Sequence, residues 1–230
     1  MKLVKDICLL SFAATCAVTA QQQDPAIPVG SLSINQDLVR QGAKPVLTWD
    51  IEYPATVEDV VEIDEEDDEI VTKTQLRVEV SVIGVGITDQ RGNEFPSRSF
   101  INLSSSGYHH VFTGTGSQVN PTTTYVDRVV PRGETIRFAS RVNVSGFDFF
   151  FNESRNIVVL KNGDLPPSNA AGFQHQTSVA DYLGPYVKNG RLSLGPMDII
   201  YACELTHTDQ NHFGYDLQDT IVLVRFTPVK

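Results

Sequence analysis

The chain has 230 residues and a formal net charge of −10, from 28 Asp and Glu against 18 Lys and Arg. That balance argues against nucleic acid as a partner, because phosphate binding draws on clustered Lys and Arg. Three cysteines in this length exclude a disulfide-built miniature scaffold, and the chain is long enough to hold itself together by core burial alone.

Residues 1–20, MKLVKDICLLSFAATCAVTA, set Lys2 and Lys5 ahead of an apolar run and end on Val18-Thr19-Ala20, a small-x-small cleavage pattern. They read as a secretory signal peptide, which places the protein as a secreted, periplasmic or cell-surface product of a bacterium. The run is too short for a membrane span, so no transmembrane segment is expected after its removal. Ala13-Ala14-Thr15-Cys16 lacks the leucine-led box of a lipoprotein. Cleavage would remove Cys8 and Cys16 and leave Cys203 with no partner in the chain. Residues 21–29 read as a linker and 30–230 as a single β-sandwich domain.

Leu32 and Ile34 alternate with polar residues as in a half-buried strand, and 46–51 supply a second strand carrying the only tryptophan, Trp49. Strand, glycine turn and tryptophan strand resemble the opening of many immunoglobulin-like sandwiches. The run EDVVEIDEEDDE, residues 58–69, has nine carboxylates in twelve positions and reads as a solvated acidic loop. Beyond it Leu76, Val78, Val80 and Val82 alternate with polar residues along a strand whose other face is wet. Gly84 and Gly86 at its end suggest a bulge or a close backbone approach.

Further strands are expected at 108–112, 123–130, 134–144, 155–160, 191–194, 198–205 and 220–226, with turns at Arg91-Gly92-Asn93, Pro131-Arg132-Gly133 and Lys161-Asn162-Gly163-Asp164. One helix is expected in TSVADYLGPYV, capped by Thr177 or Ser178 and stopped by Gly184-Pro185. Many short strands with turns between them mean an all-β fold, an immunoglobulin-like or jelly-roll antiparallel sandwich with one short helix. Its core should hold Trp49, Ile51, Val78, Val80, Ile136, Phe138, Val158, Val159, Ile199, Val222 and Val224.

The closing stretch GRLSLGPMDIIYACELTHTDQNHFGYDLQDTIVLVRF resembles the end of a family of uncharacterised bacterial secreted β domains, found on surface and calcium-associated, RTX-like proteins. In that family a strand bearing a Glu precedes a polar loop, an Asp-x-Asp-aromatic-Asn-Asp cluster and a hydrophobic strand. Glu204 matches the strand acid, Asp216 and Asp219 fall in the cluster, and Thr220 to Phe226 match the last strand. Gln218 stands where the family has asparagine. The resemblance implies calcium, held by Glu204, Asp216 and Asp219 with Asp209, the Gln218 amide and loop carbonyls completing six to eight oxygens. A second reading asks less of the residues: Asp216 makes an Asx-turn and Asp219 accepts backbone N–H groups where the strand begins.

His207, Asp209 and His212 have a spacing open to zinc, but no third histidine has an assignable place, and solvated side chains on a polar loop account for them. Phe147, Phe149 and Phe151 read as core or, alternatively, as a stacking platform for sugars. Asn102, Asn143 and Asn152 each open an Asn-x-Ser that marks surface. Cys203 reads as a small buried hydrophobe. No nucleophile elbow, phosphate loop or His-Glu-x-x-His is present. The expected function is a non-catalytic exported module, calcium-stabilised on one reading, with an unknown protein or glycan partner; the alternative is a carbohydrate-binding or carbohydrate-active protein.

Overall fold

The computed structural model describes residues 29–34, 40–42, 47–52, 55–64, 69–89, 91–144, 147–151, 156–167, 176–212 and 214–229. The signal peptide, most of the linker, His175 and Asn152 lie outside the described residues, as do the side chains of Trp49, Ile51, Asn143, Phe147, Phe149 and Phe151.

The fold is an all-β antiparallel sandwich. Its strands are β1 (Val29–Ile34), β2 (Leu47–Glu52), β3 (Val61–Asp64), β4 (Glu69–Thr72), β5 (Leu76–Gly84), β6 (Ser97–Leu103), β7 (Gly107–Gly114), β8 (Val126–Val130), β9 (Thr135–Val144), β10 (Phe147–Phe151), β11 (Ile157–Lys161), β12 (Val187–Lys188), β13 (Arg191–Leu192), β14 (Asp198–Cys203) and β15 (Thr220–Pro228). One sheet runs β3-β4-β9-β6-β7, with β10 also on β9; the other runs β11-β14-β15-β5-β8. The pairs β1-β2 and β12-β13 form two small ribbons.

Between the two large sheets lies a core that includes Leu76, Val78, Val80, Ile101, Ile136, Phe138, Ile199, Tyr201, Val222, Val224 and Phe226. Strand alternation puts these residues on the inner faces, as their sequence spacing predicts. Val158 and Val159 are only half-buried, because β11 is the edge of its sheet. A second apolar cluster sits on the other face of the five-stranded sheet. There Val179 and Leu183 of a short helix (α2, Val179–Leu183) pack with Leu192, Leu194, Tyr215 and Leu217 over Ile83, Ile200, Ala202 and Ile221. β14 is therefore buried at every position.

The α2 helix begins at Ser178, whose hydroxyl accepts the Asp181 N–H while the Asp181 carboxylate accepts the Ser178 N–H, both at 3.1 Å. It passes into a 3-10 turn at Gly184–Tyr186.

The acidic run departs from its expected loop. Val57–Val60 form a helical turn (α1), and Asp64↔Glu69, Ile63↔Ile70 and Val61↔Thr72 pair β3 with β4. Val57, Val60, Val61 and Ile70 are buried, so interleaved apolar residues anchor a hairpin whose acids stay wet. Residues 65–68 between the strands lie outside the described residues.

The strand β6 has no clear apolar signature, since two of its four inward residues are Ser97 and Ser99, both buried. Ser97 Oγ meets Thr220 Oγ1 of the facing sheet at 2.6 Å. At Ser97 a hydroxyl pair between the two sheets stands where most core contacts are apolar.

Candidate metal centre

β14 and β15 are antiparallel neighbours, and Cys203 pairs with Thr220 at the end of their ladder. Glu204 leaves the first strand and Asp219 enters the second, so the register itself sets these two acids side by side. The loop between them turns back through Gly214, Tyr215 and Asp216. Glu204, Asp216 and Asp219 are 0%, 2% and 4% exposed, and each offers an oxygen within 4.8 Å of the others.

The three carboxylates have different surroundings. Glu204 Oε1 accepts the Thr206 N–H at 2.9 Å, the Thr206 hydroxyl at 2.8 Å and the His207 N–H at 3.0 Å. Its Oε2 accepts only the Asp216 N–H, at 3.1 Å, among these backbone donors. Asp219 Oδ2 accepts the Leu205 N–H at 2.7 Å. Burial, with the negative charges of Glu204 and Asp216 beside it, holds the Asp219 carboxyl well above the usual carboxylate range. Among the described residues no Lys or Arg lies within ion-pair distance of Glu204 or Asp219; His207 Nδ1 stands 3.5 Å from Glu204 Oε1.

The surrounding chain is closely fitted. Asn156, buried and unremarked by its sequence context, donates its amide to the carbonyls of Glu204 (2.9 Å) and His207 (2.8 Å). Leu217 adopts φ 56, a left-handed conformation that reverses the chain between Asp216 and Asp219. Gly86 lies against Gln218: a Cβ there would stand 2.9 Å from the Gln218 carbonyl oxygen. Gly84 is closed off by the Tyr182 ring, and the β5-β15 ladder carries a bulge between Ile221 and Val222, so both readings of that glycine pair hold.

Asp209 stands apart from the trio. It is exposed, and its carboxylate accepts the Asn211 N–H at 3.0 Å in an Asx-turn. Gln218 is fully buried, with its amide N–H on Gln176 and its Oε1 without a hydrogen-bond partner. His207 and His212 stack face to face, 4.1 Å between centroids and 15° between planes. Among the described residues they join no group of three ligands. His212 Nδ1 instead accepts the Gly214 N–H at 3.1 Å. Cys203 is buried, as expected for a small hydrophobe.

Asp216 and Asp219, with Thr88, Gln176, Thr206 and His207, line a cleft of about 180 Å³. Three buried acids so close together could bind a metal ion. No helix among the described residues is long and apolar enough to cross a membrane. The chain matches no family model, no curated protein and no solved structure.

Proposed function

We propose that this chain is a non-catalytic extracellular β-sandwich module whose closing loop is held by calcium. The observation that carries the reading is the trio itself. Three buried carboxylates repel one another, and a cation between them offsets both that repulsion and the loss of hydration.

The donor set is all oxygen, which suits a hard cation over zinc or copper. The trio's ligand atoms lie within 4.8 Å of one another, close enough for one cation to touch all three. Calcium accepts a set made mostly of protein oxygens, whereas magnesium usually takes one or two carboxylates and keeps several waters, so three converging carboxylates favour calcium. Glu204 Oε2, the Asp219 oxygen not bonded to Leu205 and the Asp216 carboxylate are the ligands this chain supplies. Glu204 Oε1 is already taken by three donors, so Glu204 organises the loop and is a poor nucleophile or proton carrier. The signal-like segment at 1–20 supports export, where millimolar calcium is available.

Thermal unfolding in chelator, in calcium and in magnesium tests the reading. A ligand bound only by the folded state adds about 2.7 kcal/mol at a hundredfold excess over its dissociation constant. The expected result is a calcium-specific rise in Tm that disappears in the double variant Asp216→Asn, Asp219→Asn. An unchanged Tm in calcium would leave the acids as turn-builders.

A further inference from the structure

The tripeptide Lys-Asn-Gly occurs twice, at 161–163 and 188–190, and in each copy the Asn and Gly form a turn. Glycine has no Cβ to shield its backbone nitrogen, so that nitrogen can reach the side-chain carbonyl carbon of an asparagine before it. Whether it does so depends on how the two residues are held.

The first copy is pinned. Asn162 Oδ1 accepts the Leu194 N–H at 2.9 Å, and the Gly163 N–H donates to the Leu192 carbonyl at 2.8 Å. The Gly163 carbonyl accepts Arg191 Nη1 at 2.8 Å, and the Lys161 N–H donates to the Asp164 carboxylate at 2.6 Å. Both the side chain and the nitrogen that would attack it are engaged.

The second copy is not. Asn189 and Gly190 are exposed, with φ 54 and 75, at the tip of the β12-β13 hairpin. Among the described residues neither the Asn189 amide nor the Gly190 N–H has a hydrogen-bond partner. The hairpin's ladder consists of Val187↔Leu192 and Lys188↔Arg191 alone, and so short a ladder opens locally at little cost.

We propose that Asn189 is a self-modification site, converting to aspartate and isoaspartate in the folded protein while Asn162 is spared. The Gly190 nitrogen gives its proton to hydroxide and bonds to the Asn189 side-chain carbonyl carbon. The side-chain nitrogen takes a proton from water and leaves as ammonia, and a cyclic imide remains. Water then opens the ring. Attack at the side-chain carbonyl gives aspartate, and attack at the backbone carbonyl gives isoaspartate. Water and hydroxide are the only co-reactants. Asp-Gly is itself a favoured hairpin turn, so the aspartate product keeps the fold. Isoaspartate puts the side-chain methylene into the backbone, which shifts Lys188 against Arg191 and pulls on Leu192, buried in the α2-covered cluster.

The test incubates the full chain at pH 8, folded and in urea, and locates the conversion by mass spectrometry of its peptides. In the folded protein Asn189 should convert about tenfold faster than Asn162 or more, because the hydrogen bonds at 162–163 must break first. In urea the two rates should agree within about twofold, because the tripeptide is the same. The isoaspartate fraction should melt below Asn189→Asp. Equal rates at the two sites in the folded protein, or an intact Asn189 under conditions where the urea-unfolded chain converts, would overturn the site. Coincident melts would overturn the strain assigned to isoaspartate.

Discussion

Glu204 and Asp219 are neighbours with opposite demands, and replacing each should show it. Glu204 satisfies the N–H groups of Thr206, His207 and Asp216. Glu204→Ala leaves these buried or half-buried donors unmatched at about 1–3 kcal/mol each, so we expect a loss of about 3 kcal/mol or more in urea unfolding, with or without calcium. Asp219→Asn keeps an acceptor for the Leu205 N–H while removing a charge from the trio. In chelator it should be as stable as the parent or more so, and in calcium less stable. The pH dependence has a definite sign. The folded Asp219 keeps its proton above the ordinary aspartate value of 3.8, while the unfolded chain releases it near that value. Its contribution to stability is therefore intact at lower pH and is lost as pH rises from 3.8 through the folded pKa. The difference in urea midpoint between parent and Asp219→Asn, followed in chelator from pH 4 to pH 8, should move in favour of the variant as pH rises.

At the scale of elements, the loop 204–219 is shaped by what packs against it. Leu217 accepts a left-handed backbone at about 1–2 kcal/mol, offset by burying its side chain in the helix-covered cluster. Gly86 lets the chain after β5 run directly under Gln218. Gly86→Ala would set a methyl 2.9 Å from the Gln218 carbonyl oxygen, and backbone must move to admit it. We expect a loss of about 1–3 kcal/mol by chemical denaturation and a smaller calcium shift, because Asp219 is the next residue along. The glycine pair was legible because an unbranched position inside a strand pattern signals close approach. The β12-β13 hairpin carried a signal that the strand reading passed over: Asn189-Gly190, with φ 54 and 75, between paired Lys188 and Arg191. β6 offered no such signal, because its buried Ser97 is understood only beside Thr220 of the facing sheet.

For the molecule as a whole, the pair β14-β15 is covered on both faces, by the facing sheet and by the α2 layer. The carboxylate trio sits at the end of this best-buried pair, so loop and core should unfold together, and a calcium shift should appear in one transition. Net charge acts elsewhere. The acids of β3 and β4 and their neighbours repel through solvent, and sodium chloride should raise Tm modestly by screening them. The buried trio is screened far less. Sodium chloride matched in ionic strength to the calcium sample should therefore fail to reproduce the calcium effect, which separates site binding from screening in a single set of melts.

Period-two alternation along 76–82, and short strand-like runs such as 134–144 and 220–226 separated by turn residues, determined the all-β class and much of the inner face, because strand geometry sends successive side chains to opposite sides whatever their neighbours are. Asp216 and Asp219 could be named as candidates because they stand just ahead of a strand-like run, and Glu204 joined them through what the resemblance of the closing segment implies. Their meeting could not be read this way. It follows from the pairing of Cys203 with Thr220, from the reversal at Leu217 and from the clamp of Asn156, contacts between residues far apart in the chain. The separation of Asp209 from the trio and the hairpin inside the acidic run were likewise decided by tertiary structure. Charge and hydropathy say which residues want water; only register and packing say which of them must share it.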